Sequence, residues 1–303
     1  MIDSQMRSQG VREMVEEHED GPGPNLRRRE LGRELRQLRE QAGKKVADTS
    51  KYAGLTVTTI NRIEGGKQVI LPRNVRLLCQ FYGVEAPLSD NLVRQAEESN
   101  ERGWWAMYSD TMPEWFEKFV GLESDADELW NYSPIVVDGL LQTPEYAQAM
   151  FGVRASAVDE QTLQRSIGLR KARQDRVNCE KNPTRLHVVL DEAALRRAVG
   201  GEEVLRNQLR YLVTMAAKPN MTIQVMPFAA GAHLGLQTPF SMLRFPEGFD
   251  DMDAVYVENL RGGVWLERPN DIKHYTEVFE QMRAEALTPA ESVEFMDSLA
   301  SSL

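Results

Sequence analysis

Apolar residues recur at helical spacing through the first third of the chain, and four short amphipathic helices follow from that pattern. Leu31, Leu35 and Leu38 share one side of a helix that opens at about Leu26 and stops at Ala42-Gly43. A second helix covers residues 46–53, a third 56–64 and a fourth 72–82, where Pro72 suits the first turn and Gly83 the stop. Between the second and third, Gly54 permits a tight turn, Thr56 offers a capping hydroxyl, and Leu55, Ile60 and Ile63 point inward together. Val57, Thr58, Thr59 and Arg62 are left on the outer strip. Short side chains and one arginine on a short helix have the dimensions that a DNA major groove accepts.

Further along, helical spacing continues over residues 84–130 with a dense aromatic load: Trp104, Trp105, Tyr108, Trp115, Phe116, Phe119 and Trp130. Helices are expected to about Asn182, interrupted by a loop at Gly139-Leu140-Leu141-Gln142-Thr143 ahead of a helix begun by Pro144. Beyond Pro183 the texture changes to β-rich runs at residues 186–190, 222–226, 240–245, 254–258 and 264–267. A helix over 204–217 is long enough to be a crossover, so the first two runs are expected to be parallel. Tight turns such as Arg261-Gly262-Gly263 join the last three into an antiparallel meander, and helices over 271–286 and 289–299 close the pattern. The fold class is mainly α with an α+β C-terminal part: an N-terminal helical bundle, then helices and a small mixed β-sheet.

Three segments result. Residues 1–25, with Glu16-Glu17-His18-Glu19-Asp20 and Gly21-Pro22-Gly23-Pro24, read as a flexible arm. Residues 26–88 form the helical bundle. Residues 89–303 are left for a sensor or partner-binding part that also dimerises the chain.

Charge divides the same way. The chain of 303 residues carries a net charge of -10, yet residues 27–88 hold 13 Lys and Arg against 6 acids. That segment is therefore +7 and the remainder -17, the asymmetry expected when one part meets phosphate and the other does not. No window approaches the apolar length of a membrane span and no secretory leader is visible, so a cytoplasmic location without membrane contact is expected. Cys79 and Cys179 have no partner at metal-ligand spacing and read as reduced thiols.

The four early helices, with Gly54 and Ile60-Asn61-Arg62-Ile63-Glu64-Gly65-Gly66-Lys67, resemble the lambda-repressor-like (XRE) helix-turn-helix over residues 30–86. The resemblance implies a buried ion pair between Arg39 and Glu64, and base-edge contacts from Val46, Val57 and Thr58. It implies a guanine or phosphate contact from Arg62 and backbone contacts from Lys67 and Arg73. Lys44, Lys45, Thr59 and Asn61 complete the expected interface. Lys44-Lys45-Val46 departs from the usual leucine, small polar residue and glutamine, so thymine methyl contacts are expected at the two valines. The implied partner is a double-stranded DNA operator bound by a homodimer on two half-sites.

Later segments resemble the domain of unknown function that follows such a helix-turn-helix in actinobacterial regulators of the WhiJ-like, antitoxin-like group. They are Gly139-Leu140-Leu141-Gln142-Thr143-Pro144-Glu145-Tyr146-Ala147, Asp191-Glu192-Ala193-Ala194-Leu195-Arg196, Gln208-Leu209, Val225-Met226-Pro227 and Ala286-Leu287-Thr288-Pro289-Ala290-Glu291-Ser292. Asp138 stands where a proline usually precedes the Gly-Leu-Leu-Gln-Thr run. The resemblance implies a sensing or partner-binding domain, with a small-molecule effector or a small companion protein as its partner.

Candidate ligand or partner residues are Trp104, Trp105 and Trp115 as an apolar cavity, Leu140, Leu141, Gln142 and Tyr146 at the loop-helix junction, and His233. Plain core packing is the competing reading for the tryptophans and for the loop-helix junction, and His233 is read as a loop residue able to hydrogen-bond a ligand. His233 has Asp191, Glu192 and Glu258 as possible carboxylate companions, but no nucleophile motif, phosphate loop or paired histidines accompany it. No catalytic residue, metal ligand or cofactor is therefore expected. Two functions stay open at this point: a transcription regulator, read as a repressor, whose C-terminal domain responds to a ligand or partner, and an antitoxin-like protein that sequesters a companion and regulates its own operon.

Overall fold

The computed structural model describes residues 23–100, 103–153 and 159–303, and the chain divides into one unit up to Ala106 and another from Met107. The predicted arm lies outside the described residues as far as residue 22, and from Pro24 onward the chain is helical.

Among the described residues, five α-helices build the first unit: α1 (Pro24–Gln41), α2 (Val46–Ala53), α3 (Val57–Glu64), α4 (Pro72–Tyr82) and α5 (Leu88–Glu98). Leu31, Leu35, Ile60, Ile63, Val75 and Leu78 are buried in one core, each worth about 1.5 to 3 kcal/mol of apolar burial. Sequence spacing ends this unit at Leu88, whereas the structure carries it to Ala106. The reason is α5, whose apolar side (Leu92, Val93 and Ala96) enters the same core. Two hydrogen bonds fasten the chain just beyond α5: Asn100 Nδ2 donates to the Ile70 carbonyl at 2.8 Å and Arg28 Nη2 to that of Ser99 at 3.1 Å.

The second unit is a six-stranded mixed sheet in the order β3-β2-β1-β4-β5-β6 with helices on both faces. All five predicted strands are present, as β2 (Arg185–Asp191), β3 (Met221–Met226), β4 (Phe240–Arg244), β5 (Ala254–Asn259) and β6 (Gly262–Leu266). β2 and β3 pair in parallel, and β4, β5 and β6 form an antiparallel meander. β1 (Glu128–Ser133) corrects the expectation from sequence, which places helix there. It joins the two halves, parallel to β2 and antiparallel to β4. Leu129, Trp130, Asn131 and Tyr132 are all buried, so β1 lacks the alternation that marks a half-exposed strand.

Two helices, α7 (Pro144–Gly152) and α8 (Glu160–Val177), lie in the connection from β1 to β2, after α6 (Glu114–Asp125). The short α9 (Glu192–Arg196) and α10 (Glu202–Ala216) fill the connection from β2 to β3, and α11 (Pro269–Glu285) and α12 (Pro289–Ser302) come after the meander. On one face, Trp130, Tyr132, Val189, Met226, Phe240 and Met242 pack against Val278, Phe279 and Met282 of α11. Trp130 stacks on Phe279 at 5.1 Å between ring centres, a contact worth about 0.5 to 1.5 kcal/mol beyond area burial. On the opposite face Asn131, Ser241, Tyr256 and Trp265 share one rung.

The β3 edge is closed. Leu287 N donates to the Val225 carbonyl at 2.9 Å, Val225 N donates to Ser292 Oγ at 2.9 Å, and Gln224 Nε2 reaches the Leu287 carbonyl at 2.9 Å. An edge strand covered in this way offers no template for a further strand.

The β1–β2 register is held at its start by a polar contact. His187 Nε2 donates to Glu128 Oε1 at 2.9 Å, and that bond holds the Glu128 carboxyl at about 2, below its ordinary 4.5. A carboxyl depressed in the folded state gives stability that is present above pH 4.5 and is lost as the pH falls toward 2. Glu128→Gln is expected to cost on the order of 2 kcal/mol at neutral pH, and the deficit should vanish over that acid window in denaturation curves. Wild-type and variant curves that stay parallel down to pH 2 would remove this assignment.

Candidate nucleic-acid interface

The outward strip of α3 is set by the contacts on its other side. Thr59 N donates to Thr56 Oγ1 at 3.0 Å, which caps the helix, and Gly54 closes α2 in the left-handed region at φ 67°. Ile60 and Ile63 are sealed in the bundle, which turns Val57, Thr58, Asn61 and Arg62 to solvent.

Glu64 anchors the far end of the helix. Arg39 Nε donates to Glu64 Oε1 at 2.7 Å and Arg39 Nη2 to Oε2 at 2.9 Å, with both side chains under 10 % exposed. The bond to Glu64 raises the Arg39 guanidinium above its ordinary value, so it stays charged. Its remaining nitrogen, Nη1, donates to the Lys44 carbonyl at 3.0 Å and so fixes the loop ahead of α2. One side chain on α1 thus positions both helices of the helix-turn-helix, as the resemblance implies for this pair.

Gly32, absent from the residues that sequence singles out, performs the second positioning task. A Cβ there would collide with the Ile63 carbonyl oxygen and stand 3.0 Å from both the Glu64 carbonyl oxygen and Gly66 N. Sequence carries a signal for it, because a glycine inside a strong helix costs about 1 kcal/mol against alanine and marks a close backbone approach. It allows α1 to touch the end of α3 directly.

The expected interface residues fall into two groups. Lys45, Val57, Thr58, Asn61, Arg62, Lys67 and Arg73 are exposed. Thr59 is half-buried, and its hydroxyl lies 2.9 Å from that of Thr56. Val46 packs partly into the bundle core, and the Lys44 ammonium lies 4.8 Å above the Phe81 ring. The groups that α3 exposes are the Val57 methyls, the Thr58 hydroxyl, the Asn61 amide and the Arg62 guanidinium. They match a thymine methyl, any base edge, adenine, and guanine or phosphate respectively.

The expected ligand or partner residues are divided between the two units. Trp104 and Trp105 belong to the first unit, where both are buried, while Trp115 is half-buried in the second. Leu140, Leu141, Gln142 and Tyr146 are all buried rather than displayed at a junction. Gln142 Nε2 donates to the Val137 carbonyl at 2.7 Å, and the Tyr146 hydroxyl accepts from Val137 N at 3.3 Å. Gln208 brackets the same segment, accepting from Thr143 N at 2.8 Å and donating to the Leu141 carbonyl at 2.7 Å.

His233, in a loop by sequence, keeps its side chain inside at 2 % exposure, edge-on to Tyr132 and 3.6 Å from Asp191. Asp191 caps α9 through Ala193 N, and Glu192 takes Phe228 N and Arg196. Among the described residues no group of His, Cys, Asp or Glu side chains is arranged to hold a metal ion, and no helix is long and apolar enough to cross a membrane.

Comparison with known proteins gives two matches. Residues 30–92 match the family described as a helix-turn-helix domain, and residues 116–298 match that described as a domain of unknown function (DUF5753). No curated protein and no solved structure matches the chain. The first match begins inside α1, covers α2 to α4 and reaches into α5, whose apolar face completes the bundle core.

Gly32→Ala tests whether close contact between α1 and α3 sets the interface. Overpacking there should cost about 1 to 3 kcal/mol in thermal unfolding. DNA affinity, measured by fluorescence anisotropy below the melting temperature, should fall further than that of an equally destabilised variant of the second unit. Equal losses in the two would show that Gly32 serves packing alone. Glu64→Gln, which leaves a buried guanidinium without its counter-charge, should cost about 3 kcal/mol.

Proposed function

From a chain that belongs to the family of the domain of unknown function DUF5753 and carries a helix-turn-helix domain ahead of it, we propose a sequence-specific transcriptional regulator that acts as a homodimeric repressor in the cytoplasm. The observation that carries this reading is the outward strip of α3, Val57, Thr58, Asn61 and Arg62. The strip is held from behind by Ile60, Ile63 and the Arg39–Glu64 pair, within a segment of net charge +7.

A lone module of this size makes few base contacts, so two copies on half-sites one helical turn apart supply the affinity. The C-terminal unit, in this reading, receives the signal that adjusts DNA binding.

Operator selection from random DNA, with titration of the selected site, tests the proposal. Arg62→Ala should weaken binding to that site by about 1 to 3 kcal/mol and relax specificity at one base pair, with a smaller loss for Thr58→Ala. The logarithmic salt slope of the dimer should be about -4 to -8. Unchanged affinity in both variants would refute α3 as the reading element.

A further inference from the structure

The two edges of the sheet in the second unit are finished differently. The β3 edge is bonded by the segment around Leu287 and Ser292, whereas β6 is the outermost strand on the other side, with β5 as its one neighbour among the described residues. The β5–β6 hairpin closes on Asn259 and Gly262 across the turn Leu260-Arg261. Hydrogen-bonded pairs then alternate, at Val257 with Val264 and Val255 with Leu266, so the backbone N–H and C=O of Gly263 and Trp265 point away from β5. Among the described residues nothing hydrogen-bonds to those outward groups.

Edge strands are ordinarily kept apart by charged side chains, prolines or a covering segment. Gly262-Gly263-Val264-Trp265-Leu266 carries neither charge nor proline, and its central Val264 is 50 % exposed. One face of the strand is held from within its own chain. The Tyr256 ring lies across Gly263, where any side chain would collide with it, in a seat between Phe119 at 4.5 Å and Trp265 at 5.0 Å between ring centres. The Lys118 ammonium covers the Trp265 ring at 4.3 Å. An aromatic ring over an edge glycine keeps such a strand in shape.

We propose that β6 pairs antiparallel with β6 of a second copy of the chain, about a two-fold axis at Val264, and so joins the two sheets into one. The outward groups sit symmetrically on either side of Val264, so Gly263 of each copy exchanges both backbone bonds with Trp265 of the other. Val264 then faces its own counterpart at the closely spaced, non-hydrogen-bonded position. In this register Arg261, exposed in the turn, falls opposite Glu267 of the second copy, and symmetry repeats the pair. Glu267 Oε1 lies 3.6 Å from Lys118 Nζ of its own chain, which holds the carboxylate beside the strand. A two-residue slip would set Arg261 against Trp265 or Pro269, and in-register parallel pairing would set it against itself, so charge selects the one register. The covered β3 edge ends the joined sheet on both sides, which limits the assembly to two copies. The inference supplies the interface for the homodimer of the regulator reading, and it rests on that reading only for the consequence at DNA.

Sedimentation of the full-length chain without DNA, at low ionic strength and over a range of concentrations, tests the pairing. Wild type should show a reversible monomer–dimer equilibrium. Val264→Lys replaces a half-exposed side chain by one that natural edge strands carry, so it should fold normally and weaken the dimer by about tenfold or more. Arg261→Glu and Glu267→Arg should each weaken self-association by about tenfold, because each sets like charges opposite one another twice. An equimolar mixture of these two variants should dimerise again, since every cross-strand pair in the mixed dimer is of opposite charge. A wild type that stays monomeric at every concentration, a Val264→Lys chain that dimerises like wild type, or a mixture no more associated than its components would overturn the interface. Those outcomes leave operator selection by α3 intact, whereas a chain that dimerises as described but selects no operator would overturn the regulator role and keep the interface.

Discussion

Each unit is fastened by one buried, bidentate arginine–glutamate pair: Arg39 with Glu64 in the first, Arg173 with Glu123 in the second. Such a pair adds little net stability over an apolar replacement, because two desolvated charges cost nearly what their attraction returns. Its value lies in geometry, since either partner alone is strongly unfavourable and the planar fork accepts only one approach. Arg39 therefore fixes the end of α3 and, through the Lys44 carbonyl, the entry to α2. Arg173 ties α8 to α6 while its guanidinium lies over the Phe116 and Phe119 rings, which support the Tyr256 seat.

The helix-turn-helix was legible because its signals are local. Capping by Thr56, the left-handed Gly54 and the inward Ile60 and Ile63 all lie within one short segment, and each acts on its neighbours in sequence. The five strands after Pro183 were legible for a similar reason, as short β-branched and aromatic runs between turn residues. β1 was not. Glu-Leu-Trp-Asn-Tyr-Ser has no period of its own, and its partners β2 and β4 come from distant parts of the chain. Its identity as a strand is decided by tertiary contacts, which override local preference.

Polar residues in the C-terminal motifs proved harder to read, since a side chain that satisfies the protein's own backbone looks in sequence like one that binds a ligand. Gln142 and Gln208 spend their amides on the turn between β1 and α7. Ser292 and the Thr288–Glu291 capping box place α12 against the β3 edge. Asp138 bonds Leu140 N and the Asn131 amide. These groups answer the requirement that buried backbone donors and acceptors be paired. Arg170 Nε and Tyr256 Oη differ in being buried without a hydrogen-bond partner, a property of the folded donors and acceptors that no local sequence pattern encodes.

The outer strip of α3 also bounds how the proposed regulator finds its site. One arginine contact to a guanine discriminates by about 1 to 3 kcal/mol, so a dimer with Arg62 in each copy gains roughly 2 to 6 kcal/mol. Specific recognition generally needs about 4 to 10 kcal/mol over non-specific binding. The difference falls to Thr58, Asn61, the methyl contacts of Val57 and the deformability of base pairs the protein does not touch. Little of it can come from charge, because phosphate contacts raise affinity for every sequence alike. A reader with so narrow a margin is easily tuned. A shift of about 1 to 2 kcal/mol, the scale of a single ligand's differential binding to two states, moves operator occupancy by roughly tenfold.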